Sequence, residues 1–487
     1  MAILTYDWRI TVKNNMLKKV LIALIMCVMS ITMVACGGGN IEAPSSSATI
    51  IGNGGMSVQK GEYIYFANGY QGYSVINTDN RKDANYINGG LYVAKLDESG
   101  NVLLNDDGTI KYVKRLVGSL VGYENTDLHI FGNYLYYNTP CTNLNDDGTK
   151  VASDLIRFCR IKLDGSDQEV LLTSDTSTVQ YAYYYDGAKV NLMTYENNTL
   201  KRTTIGKSVD TNTISTDVTS VGFPEVIGDP MADTSAYQNI YYTANLTEDE
   251  SREIDSGNKL SRYNAKTNKS DIEYMLGDTT TIKAVTDRYL YATINDNYTR
   301  KVSLTTLHAE TQITSADFTR VTSHDYTPVY YVSDSTPNGL VGLVVVRNNN
   351  VYFLQDGQPA NDEQTLIEGS TTIVDVIDGT IYYTDSNATK LYSLNIKNKL
   401  NSNASATTIY AGDMKATFDL DHIDIHANHN GSVNYVFMML ENTNDNGTST
   451  YTYRVNLDAQ DDDGQNVVDF VGVYRDADIP EKEEEQE

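Results

Sequence analysis

The chain has 487 residues, a formal charge of −27 and a pI near 4.5, with 37 Tyr against 9 Phe and 1 Trp. Such acidity argues against a general nucleic-acid binder, because neutralising phosphates needs clustered Lys and Arg. With only 8 Pro and few long apolar helical patterns, the composition points to an all-β protein with room for a large core or several domains.

Lys18 and Lys19 precede an apolar run over residues 20–34, the basic and hydrophobic regions of a signal peptide. That run is too short to cross a bilayer comfortably. It ends in Met33-Val34-Ala35-Cys36, followed by Gly37-Gly38-Gly39. This junction resembles the lipobox of bacterial lipoproteins: a small residue, then the Cys that is lipidated. The resemblance implies cleavage before Cys36, a thioether lipid on its sulfur, and a protein anchored to the outer face of a bacterial cell membrane. An ordinary secretory signal with an incidental Cys, or an uncleaved anchor, is the alternative. Residues 1–15 read as an upstream extension before Met16. Removing the leader takes away Arg9, Lys13, Lys18, Lys19 and Asp7 and leaves a charge near −30, which keeps a tethered domain soluble and off anionic head groups. The expected organisation is residues 1–35 extension and signal peptide, 36–48 lipidated Cys and flexible linker, 49–476 folded domain, and 477–487 an acidic disordered tail.

From residue 63 onward a hairpin unit recurs. Tyr63-Ile64-Tyr65-Phe66 is expected to pair with residues 91–96, and Tyr134-Leu135-Tyr136-Tyr137 with residues 155–163. Residues 190–195 precede 200–205, Ile240-Tyr241-Tyr242 precedes 260–263, and Tyr289-Leu290-Tyr291 precedes 302–304. A sixth unit, with a shifted pattern, holds Val329-Tyr330-Tyr331, residues 340–346 and residues 351–354. The seventh, residues 379–396, is the clearest, and the eighth joins residues 433–440 to 451–457. Both strands of the seventh put apolar side chains on both faces, so such a sheet must be covered twice. Further short strands between hairpins, such as residues 169–172, 372–377 and 467–474, bring each unit to about four strands. Four strands every 40–60 residues predicts a β-propeller of about eight four-stranded blades, seven being the alternative.

Gly379-Thr380-Ile381-Tyr382-Tyr383-Thr384-Asp385 and Arg160-Ile161-Lys162-Leu163-Asp164-Gly165-Ser166 resemble the YWTD-type propeller repeats of low-density-lipoprotein-receptor relatives. They are closer still to repeats of bacterial lipoproteins carrying such propellers, and the likeness runs over most of residues 50–475. Tyr stands where the namesake repeat has Trp. The resemblance implies a binding or scaffolding surface and brings no catalytic residues with it.

Three stretches carry candidate chemistry. In residues 419–429, His422, Asp424 and His426 would share one face of a strand and could hold a transition metal in the central channel; a polar channel-lining strand without metal is the simpler reading. In residues 143–154, Asn143, Asn145, Asp147 and Asp154 imitate the oxygen ligands of a calcium loop; residues 442–447 repeat part of it. Plain hairpin-turn chemistry accounts for the same residues. Cys141 and Cys159 flank one hairpin of an exported chain and could form a disulfide or stay as buried thiols.

No nucleophile elbow, zinc-protease helix or phosphate loop is present. The leading expectation is a non-catalytic, surface-tethered binding propeller for a protein, peptide or envelope polymer, with the membrane as a second partner and no required cofactor. The alternatives are a propeller enzyme, a glycan lyase or hydrolase using Asp419, Asp421 and Asp424, and a metal-dependent solute binder.

Overall fold

The computed structural model describes residues 41–69, 89–106, 110–117, 127–144, 150–176, 178–223, 239–253, 257–265, 267–322, 329–332, 340–359, 362–369, 371–412, 417–427, 433–444, 447–461 and 464–471. These form eight antiparallel sheets, each built from strands consecutive in the chain. Seven have four strands. The first has five, because Ile50–Ile51 adds to the inner edge of Ser57–Lys60. The protein is therefore an eight-bladed β-propeller. First strands of adjacent blades approach one another, which sets them toward the axis. They are Ser57–Lys60, His129–Phe131, Gln180–Tyr185, Val218–Gly222, Thr280–Val285, Val329–Val332, Thr372–Ile377 and Thr417–Ala427 in blades 1 to 8.

The second strand of each blade shows why the ring forms. Its central triplet alternates between two seams: Ile64-Tyr65-Phe66, Leu135-Tyr136-Tyr137, Leu192-Met193-Thr194, Ile240-Tyr241-Tyr242, Leu290-Tyr291-Ala292, Leu343-Val344-Val345, Ile381-Tyr382-Tyr383 and Val436-Phe437-Met438. The first residue packs against the preceding blade and the middle one against the following blade, as period-2 side chains require. The buried apolar residues fall into eight clusters, each spanning one seam. A blade has no core of its own. Its burial comes from its neighbours, so the array is stable only when it closes.

Blade 6 shows what shifts its pattern. Val329-Tyr330-Tyr331 lies on the inner strand, Val329–Val332. The aliphatic Gly342–Arg347 takes the second place. Two short helices, Leu304–Ala309 and Ile396–Ser402, follow the third strands of blades 5 and 7. In five blades the ladder between third and outer strands slips by a bulge at one equivalent position, just after Leu91, Phe158, Leu200, Val351 and Leu391, and in blade 4 it slips after Arg262. That raises the local twist and turns the outer edge away from flat pairing with another sheet.

Among the described residues, no blade mixes strands from the two ends of the chain. Side chains close the ring instead. Met56, Ile64, Phe66, Tyr92 and Leu96 of blade 1 pack with Phe437, Met439 and Val471 of blade 8. Thr452 Oγ1 donates to the Ala67 carbonyl at 2.8 Å and accepts from the Gly69 amide at 3.0 Å. Asn456 donates to Asn101 Oδ1 at 2.8 Å.

Candidate functional site

Asp424 and His426 do share a face of the inner strand of blade 8, opposite Phe437 and Tyr435. Their polar ends are not open to the channel. Asp424 Oδ2 accepts from the amides of Met56 and Ser57. His426 Nε2 lies 2.8 Å from Ser57 Oγ, and its ring is fully buried beside Phe437. Desolvation, helped by the Arg454 guanidinium, pushes the imidazole pKa down to about 3, so the ring is neutral. Gly52 and Gly55 make this contact possible. A Cβ on Gly52 would meet the His426 ring at 2.5 Å, and one on Gly55 would strike the Asp424 carboxylate. The proposed metal ligands thus join the first blade to the last. The His422 side chain lies outside the described residues. Among the described residues no three His, Cys, Asp or Glu side chains gather as a metal site.

A second Asp-x-His pair, unnoticed in the sequence, lies on the other side of residues 52–57. Asp127 Oδ1 is 2.6 Å from His129 Nε2. The backbone of Gly54 and Gly55 bonds to Leu128, and the Asn53 side chain bonds to the Ile130 backbone in both directions. The Tyr181 hydroxyl of blade 3 feels the Asp127 charge and accepts from Asn138 Nδ2 at 2.6 Å. His129 stacks on Phe131, and Tyr136 and Tyr183 fill the seam beside it. Burial first, and the Asp127 charge second, hold the Tyr181 and Tyr183 hydroxyls well above their usual range. The Tyr183 hydroxyl and Asn138 Oδ1 are buried with no partner among the described residues. The network orients His129 and stiffens the junction of blades 2 and 3. The signal available in the sequence was Asp127-Leu128-His129, which matches Asp424-Ile425-His426 in spacing.

The two ends of the ring differ. Connections between second and third strands all emerge on one end, with the links between blades, because the strands alternate in direction. Blades 3 and 6 finish there in two-residue Asn-Asn turns, Asn197-Asn198 and Asn348-Asn349, all four residues at positive φ. Blades 2 and 8 do not stop. Tyr134–Leu144 pairs with Lys150–Lys162 out to Leu144 opposite Lys150. Val433–Asn444 pairs with Gly447–Gln460 out to Asn444 opposite Gly447. Aligned on the core positions Leu192, Leu135 and Val436, these arms run five and four residues past Glu196, the last second-strand residue of blade 3. At about 3.4 Å per residue they project roughly 17 and 14 Å. In blade 1, between them, the second strand ends at Ala67 and the third begins at Leu91 on the same end.

The expected calcium ligands lie on the blade 2 arm. Asn145 and Asp147, and the side chains of Asn143 and Asp154, lie outside the described residues. The backbone pairs Asn143 with Val151, so residues 150–154 are a return strand rather than the far half of a coiled loop. The disulfide expectation is corrected by the same ladder. Cys159 sits opposite Tyr137, four residues along the strand from Cys141. That is about 13 Å between Cα atoms, beyond disulfide reach. Cys159 is buried in the seam between blades 1 and 2. Cys36 lies outside the described residues.

No family model matches the chain, and no curated protein matches it. Among solved structures it is similar to prolyl oligopeptidase B from Galerina marginata, at 11% identity over 69% of this chain and 50% of that one, with a TM-score of 0.41. It is also similar to the β-propeller domain of the Trilobed protease from Pyrococcus furiosus, at 11% identity over 71% and 96% of the two chains, with a TM-score of 0.37. The WD40 domain of Neurospora crassa Pan2 is a third, at 9% identity over 65% and 85%, with a TM-score of 0.33. The chain spans about half the length of the oligopeptidase.

Proposed function

We propose that the protein is an exported, lipid-anchored propeller that binds or scaffolds a protein, peptide or envelope polymer on the end of the ring bearing the two long arms. The observation that carries this reading is the pair of arms: the hairpins between second and third strands of blades 2 and 8 run five and four residues past that of blade 3, on either side of blade 1. Projecting loops on a rigid scaffold are where propellers and other repeat folds place recognition. The resemblance to YWTD-type repeats, which serve as binding surfaces, agrees with it, as does the lipobox-like junction at Cys36.

The test trims the arms. Residues 141–153 and 442–449 are each replaced by Asn-Gly, and the folded variants are compared with the intact protein in affinity capture from envelope extract. Partners held by the intact protein are expected to be lost from the trimmed ones. Capture of nothing above background by the intact protein, or capture indifferent to the arms, overturns the proposal.

A further inference from the structure

We infer that the end of the ring opposite the arms faces the lipid surface, and that the tether is too short for any flipped arrangement. This rests on the lipid-anchored reading of Cys36. The segment expected to be a flexible linker is docked from residue 41 onward. Ile41 packs against the seam of blades 1 and 2 and closes over Gly165. The Glu42 amide donates to the Tyr112 hydroxyl at 2.9 Å, and its carboxylate accepts from the Tyr63 hydroxyl at 2.8 Å. Pro44 is buried, and the Thr49 carbonyl accepts from the Gly61 amide at 3.0 Å. Tyr63 begins the second strand, Lys95 ends the third and Gly165 lies in the turn before the outer strand of blade 2. All three belong to the end opposite the arms. Residues 41–49 therefore run across that end of blade 1, from its periphery to the channel.

Cys36 lies five residues before Ile41. Whatever path residues 37–40 take, a fully extended chain covers no more than about 18 Å. Placing the arms against the membrane would need the tether to pass the thickness of the ring, roughly 20 Å for a six-residue strand, plus the arms. That exceeds its reach. Beside the docked segment, Lys95 pairs with Glu42 and Glu62, and Lys162 with Asp167, so these cations are already neutralised by the protein. The short tether sets the orientation, and it leaves the arms pointing away from the bilayer.

The test uses full-length acylated protein in vesicles containing a nitroxide head-group quencher lipid. A fluorophore is placed through Glu98→Cys, in the exposed turn of blade 1 on the tether end, or Thr178→Cys, exposed on the arm end. Labelled protein without an added cysteine supplies the background. Quenching at position 98 is expected to exceed that at 178 by about threefold or more, because the tether holds its end within about 18 Å of the lipid. Inserting about 20 Gly/Ser residues between Asn40 and Ile41 should shrink the difference, since such a linker spans distances comparable to the ring. Equal quenching, or stronger quenching at 178, in membrane-bound protein overturns the orientation while leaving the anchor intact. If intact protein fails to partition to vesicles, or if Cys36→Ser partitions equally well, the anchored reading fails and takes the orientation with it.

Discussion

His426 Nε2 and Ser57 Oγ lie 2.8 Å apart although 369 residues separate them in the chain. Their contact is where the two ends of the propeller meet. It has a pH signature. The folded imidazole has a pKa of about 3, below its ordinary 6.5, so the unfolded chain takes up a proton that the folded ring refuses. Stability from this group is complete above pH 6.5 and falls as the pH drops toward 3, by at most about 1.4 kcal/mol per pH unit. Ser57, Phe437, Gly52 and the Arg454 cation face the ring, and Asp424, two residues away, is engaged by the Met56 and Ser57 amides. Burial and the Arg454 cation oppose a second positive charge there and outweigh the Ser57 contact, which favours it. Urea melts of wild type and His426→Gln between pH 7 and 5 test this. The variant should lose markedly less stability over that range, and parallel curves would count against the assignment.

Gly52 holds a φ of +77° with its missing Cβ aimed at the His426 ring, whereas Gly187 holds +91° with nothing within 4 Å. Alanine at Gly187 should cost only backbone strain, about 1 kcal/mol. Alanine at Gly52 must also displace a buried ring, bringing the loss to about 2–4 kcal/mol. Chemical denaturation of the pair checks the difference, and equal losses would mean that the closure contact yields freely.

Tyr181 and Tyr183 sit two residues apart on one strand and should respond in opposite ways. The buried Asn138 amide donates to the Tyr181 hydroxyl at 2.6 Å. Tyr181→Phe leaves that amide short of a bond and should cost about 1–3 kcal/mol. The Tyr183 hydroxyl is buried without a partner among the described residues. Tyr183→Phe removes an unsatisfied polar atom and should be neutral or mildly stabilising. A comparable loss in both would show that Tyr183 has a partner after all.

The blades were legible because each repeats a local pattern: an alternating apolar triplet such as Ile381-Tyr382-Tyr383, a turn, and a partner strand. Period-2 alternation is a short-range signal. Blade 6 reads as shifted because two adjacent tyrosines, Tyr330 and Tyr331, occur on its inner strand, while the aliphatic Leu343-Val344-Val345 fills the position that is mostly aromatic elsewhere. The site was less legible. Asp424 and His426 were found as a pair sharing a face, yet their partners are the backbone and hydroxyl of residues 56 and 57. Such pairing exists only once the ring has closed, so neither spacing nor propensity could reveal it. The disulfide expectation failed for a related reason. Nearness in a hairpin depends on register, and the register of Pro140 with Ile156 sets the two cysteines well apart.

The closure seam should also be where the ring opens first. Every other seam joins blades linked by the chain, but among the described residues blades 8 and 1 meet without a shared strand. Phe437 fills that seam and Phe353 fills the one between blades 6 and 7; both are fully buried. Each truncation to Ala should cost about 3–5 kcal/mol globally, because the cavities are similar. Native-state hydrogen exchange should tell them apart. With Phe437→Ala, amides of Tyr63–Ala67 and Val433–Asn444 should lose protection in sub-global openings well before the rest of the ring. With Phe353→Ala, the linked chain limits separation of the blades, and protection should fall more evenly. Early exchange around blades 6 and 7 in the second variant, matching that around the closure in the first, would show that a covalent link between blades adds nothing to the resistance of a seam.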